Sequence, residues 1–159
     1  MKLDVLMVDD AQVGSLAELY RDSYGAMVRL AYLLTDSNAL AEELVQDAFV
    51  KIHGRWDRLE QPRAYLRTTV VNGCRSHLRR RRLERTHLSS RPREEVAPQA
   101  DELWDALAAL PHRQRAVLVL KFYADMSEAD IASALGCRPG TVKSLTSRAL
   151  DALRKVIEP

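Results

Sequence analysis

An arginine-rich segment is the feature of this 159-residue chain that most clearly points to a chemistry. Residues 61–93 contain ten arginines and a single acid, Glu84, whereas residues 1–60 and 94–159 are each net acidic. Guanidinium groups bind phosphates through paired hydrogen bonds and also stack on exposed bases. A segment this basic points first to a nucleic acid and second to an acidic protein surface. A solvated arginine run that serves only solubility is the plainer alternative.

Helical periodicity divides this segment into two sides. Pro62 suits the first turn of a helix, and at 100° per residue the helix has a basic half and a more apolar half. The basic half contains Arg63, Arg67, Arg75, Arg79 and Arg82. The other half contains Tyr65, Leu66, Thr69, Val70 and Gly73. Val71 and Leu78 fall inside the basic half, so the division is imperfect. Asn72 lies among the arginines, where its amide is either a base-edge contact or simply solvated.

Two amphipathic helices precede the arginine helix. Apolar residues recur at steps of three and four over residues 16–34, and Asp36 and Ser37 can cap a second helix. The second helix has an apolar stripe over residues 40–52 and a polar outer face. That outer face consists of Glu42, Glu43, Gln46, Asp47 and Lys51. Its acids would repel DNA and suit a basic protein partner, with a merely solvated face as the alternative.

A second helical unit follows, in which Pro111 starts a helix that runs through Tyr123 and Ser127 caps a short helix, with Asp130 three residues on. Its strongest motif lies between residues 127 and 148. A helix-turn-helix needs a small residue in its first helix, a glycine in the turn and a β-branched residue that plugs the shared core. Ala132, Gly136 and Val142 stand at those spacings. The last helix packs through a stripe that includes Leu145. Its outer side presents Lys143, Ser144, Ser147 and Arg148, which suit base edges and phosphates in a major groove. An ordinary helical hairpin is the alternative.

Catalytic, metal and membrane functions have no support in the sequence. Cys74 and Cys137 stand far apart with no CxxC pair, which is typical of a reducing cytoplasm. Cys74 and His77 have no second ligand pair at a known spacing. No nucleophile–base pair, phosphate loop or apolar run of about 18 residues appears. We therefore expect no enzyme activity, no cofactor, no bound metal and no membrane insertion.

Taken together, these segments resemble the extracytoplasmic-function (ECF, group IV) sigma factors of the sigma-70 family. The motifs VVNGCRSHLRRRR and TVKSLTSRAL are similar to an actinobacterial subgroup. The resemblance rests on residues 20–34, 41–52, 62–82 and 110–154. It implies an all-α fold of two small helical domains joined by a flexible linker, acting in the cytoplasm. The implied order is a tail at 1–15, a sigma-2-like domain at 16–83, a linker at 84–100 and a sigma-4-like helix-turn-helix domain at 101–159.

The resemblance also implies a role for each surface. The residues that would bind the β′ clamp helices of bacterial core RNA polymerase are Glu43, Leu44, Gln46 and Asp47. Those that would recognise and melt the −10 promoter element are Arg63, Arg67, Asn72, Arg75, Arg79, Arg80 and Arg82. The loop at 55–62 would help accept a flipped base. The residues that would read the −35 element are Arg138, Thr141, Lys143, Ser144, Ser147 and Arg148. Other surfaces of the sigma-4-like domain would meet the β flap, and the linker would thread toward the active-site cleft.

Some features depart from the family pattern. Leu145 stands where many members have a basic residue, and the loop before Pro62 lacks the aromatic residues that some members place there. The preferred −35 and −10 sequences therefore stay open. The chain ends at Pro159 without an appended domain, so we expect control by a separate anti-sigma factor.

Two other classes of protein compete with the sigma-factor hypothesis. A helix-turn-helix regulator would bind duplex DNA alone, usually as a dimer, and would leave the acidic helix and the arginine helix unexplained. An interaction module would use residues 61–93 to bind an acidic protein and no DNA. Dependence on polymerase separates the three classes.

Overall fold

The computed structural model describes residues 14–84 and 102–157, with side chains placed for residues 14–80 and 102–157. Within those ranges every regular element is a helix, which confirms the all-α prediction. The helices are α1 (Leu16–Thr35), α2 (Asn38–His53), α3 (Pro62–Glu84), α4 (Glu102–Ala109), α5 (His112–Leu118), α6 (Glu128–Leu135) and α7 (Pro139–Ile157). The predicted tail up to residue 13 and the predicted linker from residue 85 lie outside the described residues.

Two short irregular helices join the longer ones. The stretch predicted as a loop before α3 contains a 3-10 turn at Trp56–Arg58. The helix predicted to run from Pro111 to Tyr123 is interrupted, because α5 ends at Leu118 and a π-helical turn continues from Val119 to Tyr123. The Ala124 N–H donates to the Val119 carbonyl at 3.1 Å, which widens this last turn.

Serine caps set where the helices begin. The Ser37 hydroxyl accepts from the Leu40 N–H at 3.2 Å, and the Ser127 hydroxyl accepts from the Asp130 N–H at 3.1 Å. Both caps were predicted from the sequence, since a hydroxyl at this position satisfies an otherwise unpaired N–H of the first turn. Ser15 caps α1 in the same way, through the Glu18 N–H.

The N-terminal unit consists of α1, α2 and α3, which pack on one another. Its core contains the fully buried side chains Leu19, Leu34, Val45, Ile52, Leu66, Val70 and Cys74. Of the last three, Leu66 and Val70 come from the apolar half of α3, whereas Cys74 falls in the predicted basic half, between Arg63 and Arg67 on the helical wheel. Gly73 allows α2 to approach closely, because a Cβ on Gly73 would lie 3.1 Å from Leu44 Cδ2. The buried side of the arginine helix therefore spans the boundary between the two predicted halves, because Val71, Cys74 and Leu78 of the predicted basic half are also buried.

The C-terminal unit consists of α4 to α7, and its helix-turn-helix follows the predicted pattern. Ala132 and Val142 are buried where α6 and α7 cross. Gly136 ends α6 with φ 62 and ψ 46, in the left-handed region that favours glycine. The Cys137 N–H donates to the Ala132 carbonyl at 3.0 Å and closes the turn.

The two units share one continuous core. Helix α1 packs on α5, and α3 packs on α6. The interface contains an ion pair in which Arg115 Nη2 lies 2.7 Å from Asp36 Oδ1, and the Arg115 side chain is only 2% exposed. His112 Nε2 lies 2.9 Å from the Leu34 carbonyl oxygen. The sequence pattern predicts two units but does not indicate this packing between them.

Replacing Gly136 by alanine should destabilise the chain, because alanine at positive φ costs roughly 1–2 kcal/mol. Gly140 is the matched control: it lies within α7, and a Cβ there would have no atom within 4 Å. Gly140→Ala should raise the free energy of unfolding by roughly 0.4–1 kcal/mol. Urea unfolding measures both, and a Gly136→Ala chain as stable as the wild type would contradict the left-handed turn.

Candidate nucleic-acid and polymerase interface

The outer side of α2 presents the acidic face expected from the sequence. Glu43, Gln46 and Asp47 are exposed, and the opposite side of the helix is buried in the core. Leu44 differs from them because it is half-buried and packs toward Gly73. The structure therefore brings three of the four predicted polymerase-binding residues together on an open surface and places the fourth at its inner edge.

An apolar extension of this face was not found from the sequence. Val50 is 71% exposed and lies about one helical turn beyond Asp47. Helix α1 contributes the exposed Tyr20, whose ring centroid is 5.0 Å from that of Phe49, the residue before Val50, and 4.8 Å from that of Tyr24. The sequence did contain a signal for this extension. Val50 follows Asp47 by three residues and Gln46 by four, and residues at these spacings are neighbours on a helix surface.

The predicted −10 residues on α3 occupy different environments. Asn72, Arg79 and Arg80 are exposed. Arg63 is held within the N-terminal unit, where Nη1 donates to Ser23 Oγ at 3.0 Å and Nη2 lies 3.2 Å from Asp22 Oδ2. The side chain of Arg82 lies outside the described residues.

Two further arginines of this set are partly covered. The guanidinium carbon of Arg67 lies 6.0 Å from the centroid of the Tyr123 ring, which belongs to the C-terminal unit. Arg75 is half-buried, and its Nε is shielded from solvent with no hydrogen-bond partner in the part of the chain that has placed side chains. The helix thus offers an open strip at Asn72 and Arg79 and a covered flank at Arg67.

The outer side of α7 and the turn before it form one exposed polar surface. Its exposed members are Arg138, Lys143, Ser144, Ser147 and Arg148, with Thr141 half-buried at the edge. Ser144 Oγ donates to the Gly140 carbonyl at 3.2 Å, and Lys143 Nζ lies 3.8 Å from Glu128 Oε2. Leu145 packs against the core, as its position on the helical wheel predicted.

No group of three or more metal-ligating side chains occurs in residues 14–80 and 102–157. Burial raises the pKa of the Cys74 thiol to about 12. Burial also raises the pKa of Tyr123 to about 12, although the charges of Arg67 and Arg29 act in the opposite direction. Among the described helices, none has the length and apolar character needed to span a membrane.

Comparison with known proteins gives the class to which this arrangement belongs. Residues 19–84 match the family model for sigma-70 region 2, and residues 100–153 match that for sigma-70 region 4. The chain is 36% identical over 153 residues to RNA polymerase sigma-E factor of Streptomyces coelicolor, covering 91% of this chain and 86% of the relative. It is 32% identical over 154 residues to the ECF RNA polymerase sigma factor SigM of Mycobacterium tuberculosis, covering 88% and 76%.

A solved structure supports the same class. The sigma factor RpoE of Bartonella quintana, determined in complex with the anti-sigma factor NepR, matches with a TM-score of 0.51 and 26% sequence identity. The match covers 92% of this chain and 98% of that one. The fold and the surfaces are those of a two-unit, DNA-binding transcription factor.

The chain belongs to the ECF group of the sigma-70 family. It is a transcription initiation factor and not an enzyme: it binds core RNA polymerase, recognises the −35 and −10 promoter elements and promotes DNA melting. Of the three classes left open by the sequence, the sigma factor is confirmed.

The two thiols should react at different rates. Cys74 is fully buried with a raised pKa, whereas Cys137 is half-buried in the turn before α7. A thiol reagent at pH 8 should modify Cys137 in the folded chain and Cys74 only after denaturation, because the thiolate is the reactive form. The absorbance of the product that the reagent forms measures how fast each thiol is modified. A Cys137→Ser chain that still reacts quickly would contradict the packing of Cys74.

Proposed function

We propose that three separate surfaces of this chain divide the work of promoter engagement. The outer face of α2 binds core polymerase, the exposed strip of α3 binds and opens the −10 element, and α7 reads the −35 element. The observation that supports this division is the sorting of charge: acids cover the outer face of α2, and arginines project from the neighbouring helix α3. Because the two faces have opposite sign, one suits a basic protein and the other suits DNA.

The acidic face of α2 fits the clamp helices of the β′ subunit. Glu43 and Asp47 supply charges that a basic helical surface pairs with, and Gln46 lies between them. Leu44 and Val50 add apolar area at the edges, which lets the contact bury hydrocarbon as well as charge. Since this face is exposed, polymerase can dock without a prior rearrangement of the chain.

The exposed strip of α3 captures the non-template strand. Unstacking a base costs a few kcal/mol, and holding the base in a pocket while binding the strand offsets that cost. Asn72 contacts a base, Arg79 and Arg80 bind phosphates, and the loop at residues 55–62 accepts the flipped base. Arg63, Arg67, Arg75 and Arg82 contribute further positive charge along the strand.

The exposed surface of α7 enters the major groove at the −35 element. Lys143, Ser144 and Ser147 face the base edges, and Arg138 and Arg148 bind phosphates. Thr141 lies at the margin of this surface. The packed position of Leu145 leaves out one phosphate contact that many members of the family make, and the preferred −35 sequence stays open.

The regulation of the chain and its location in the cell follow from the same assignment to the sigma factors. The match to RpoE, solved with the anti-sigma factor NepR, supports control of this chain by an anti-sigma factor. Other surfaces of the C-terminal unit meet the β flap, and the segment between the two units follows the active-site cleft. The chain acts in the cytoplasm, where RNA polymerase operates.

Reversing one charge on α2 tests the polymerase contact. Asp47→Arg should weaken binding to core polymerase about tenfold or more, because it places like charges together. Asp105→Arg makes the same change at an exposed acid of α4 and should leave binding unchanged. Fluorescence anisotropy of the labelled chain measures both affinities. An equal loss of polymerase affinity in both variants would show that net charge causes the effect, and it would reject the α2 contact.

Separate substitutions test the two DNA surfaces. Within the holoenzyme, Asn72→Ala should slow promoter opening while leaving binding of a −35 duplex intact. Arg148→Ala should weaken binding of that duplex about equally for all −35 sequences and reduce the salt slope of binding by about 1, since it removes a phosphate contact. Arg154→Ala, at an exposed arginine six residues further along α7, is the control. A −35 affinity that falls equally in Arg148→Ala and Arg154→Ala would reject the assigned reading surface.

A further inference from the structure

A carboxylate lies at the edge of the surface that α7 presents to DNA. Glu128 is the first residue of α6, and its side chain is 35% exposed. Its Oε2 lies 3.8 Å from Lys143 Nζ, and its Oε1 lies 3.7 Å from Lys121 Nζ. An acid beside a DNA-binding surface repels phosphates. Affinity for DNA alone therefore gives no reason for Glu128.

The local structure holds this carboxylate in place. Helix α6 begins directly after its capping residue Ser127, and the dipole of a helix stabilises an acid in the first turn. Lys121 belongs to the π-helical turn before α6, and its side chain is 33% exposed. One oxygen of Glu128 thus pairs with a lysine that precedes α6, and the other pairs with a lysine of α7. Such half-exposed pairs add little to folding stability, but they restrict where each lysine can reach.

Lys143 is the member of the −35 surface whose reach matters most. Its side chain is 70% exposed, and lysine has a long flexible stem. An unrestrained lysine at this position binds any phosphate within reach. Contacts with phosphates strengthen binding to every sequence and carry no sequence information, whereas contacts with base edges do carry it.

The charge of Glu128 separates these two uses of Lys143. An ammonium group has three donors, so it can bond to the carboxylate and to a neutral acceptor on a base edge, such as O6 or N7 of guanine, at once. A phosphate in the same place would lie beside the carboxylate, and the two anions would repel each other. Glu128 therefore disfavours the phosphate contact more than the base contact.

We propose that Glu128 is a specificity-determining residue of the −35 surface. It withholds Lys143 from phosphates and leaves it available to base edges, so it lowers affinity for arbitrary DNA more than affinity for the −35 element. Lys121 holds the carboxylate in the position where it does this. The proposal rests on the proposed function of α7.

Glu128→Gln tests the proposal, because it removes the charge and keeps the size of the side chain. Asp130→Asn makes the same charge change in the same turn of α6, at an exposed acid with no ion pair in the described part of the chain. The probes are a short duplex that the wild-type holoenzyme selects from a pool randomised at the −35 element, and a scrambled duplex of equal length and composition. Fluorescence anisotropy measures the affinity of each holoenzyme for both.

Freeing one lysine for a phosphate should steepen the salt dependence of scrambled-duplex binding by about 0.9 in the log–log slope and raise that affinity about fivefold at 0.15 M salt. Affinity for the selected duplex should rise less than twofold, so the ratio of the two affinities falls in Glu128→Gln and stays unchanged in Asp130→Asn. Equal effects in both variants would assign the change to net charge and overturn the proposal. A loss of affinity for the selected duplex alone would make Glu128 a direct reader of a base, such as cytosine through N4, and would also overturn it.

The role of Lys143 is tested by repeating the substitution in a Lys143→Ala background. Without Lys143 to release, Glu128→Gln should raise affinity for the scrambled duplex less than twofold. A fivefold gain that persists in this background would show that the carboxylate repels DNA independently of Lys143, and it would overturn the proposal.

The wild-type measurements separate failure of this proposal from failure of the proposed function. If the wild-type holoenzyme prefers the selected duplex but Glu128→Gln leaves that preference unchanged, only the role of Glu128 is wrong. If Lys143→Ala and Arg148→Ala both leave binding of the selected duplex unchanged, the assigned role of α7 is wrong.

Discussion

The burial of one side of α3 is the constraint on which the rest of the structure depends. A helix that projects this many arginines repels itself and would not stay ordered through its own propensity. Leu66, Val70 and Cys74 are fully buried against α1 and α2 and hold it in place. Gly73 lets Leu44 approach from α2 without a clash. Once the buried side is fixed, Arg79 and Arg80 project outward, and Arg63, Arg67 and Arg75 lie at its margins.

The same packing explains how one small unit serves two kinds of partner. Because α2 and α3 are neighbours in a three-helix arrangement, their outer faces point in different directions. Acids occupy one face and arginines the other, so a basic protein surface and a nucleic acid can be bound at once without competing. In the C-terminal unit, the tight turn at Gly136 sets the angle between α6 and α7 and leaves the polar side of α7 exposed.

The sequence predicted those features that depend on local chemistry. Helical periodicity gave the helices, the serines at positions 37 and 127 gave two caps, and the spacing of Ala132, Gly136 and Val142 gave the turn. Contacts between residues distant along the chain left no such pattern. Arg63 binds Asp22 and Ser23, about forty residues earlier, and no local rule selects that partner.

One sequence irregularity did signal a long-range contact without identifying it. Val71 and Leu78 interrupt the basic half of α3, which indicates that something apolar lies there. Neither periodicity nor charge could say that α6 of the C-terminal unit packs on α3, or that Asp36 and Arg115 form an ion pair across almost eighty residues of chain. Such pairings depend on the final packing of the units and become visible only in the folded structure.

Permanganate reactivity of thymines in promoter DNA tests the central claim most directly, because the reagent oxidises thymines only where they are unstacked. Core polymerase with this chain should make thymines of the −10 region reactive, and core polymerase alone should not. Reactivity that is absent with the folded chain bound to core polymerase on its own promoter would contradict the account.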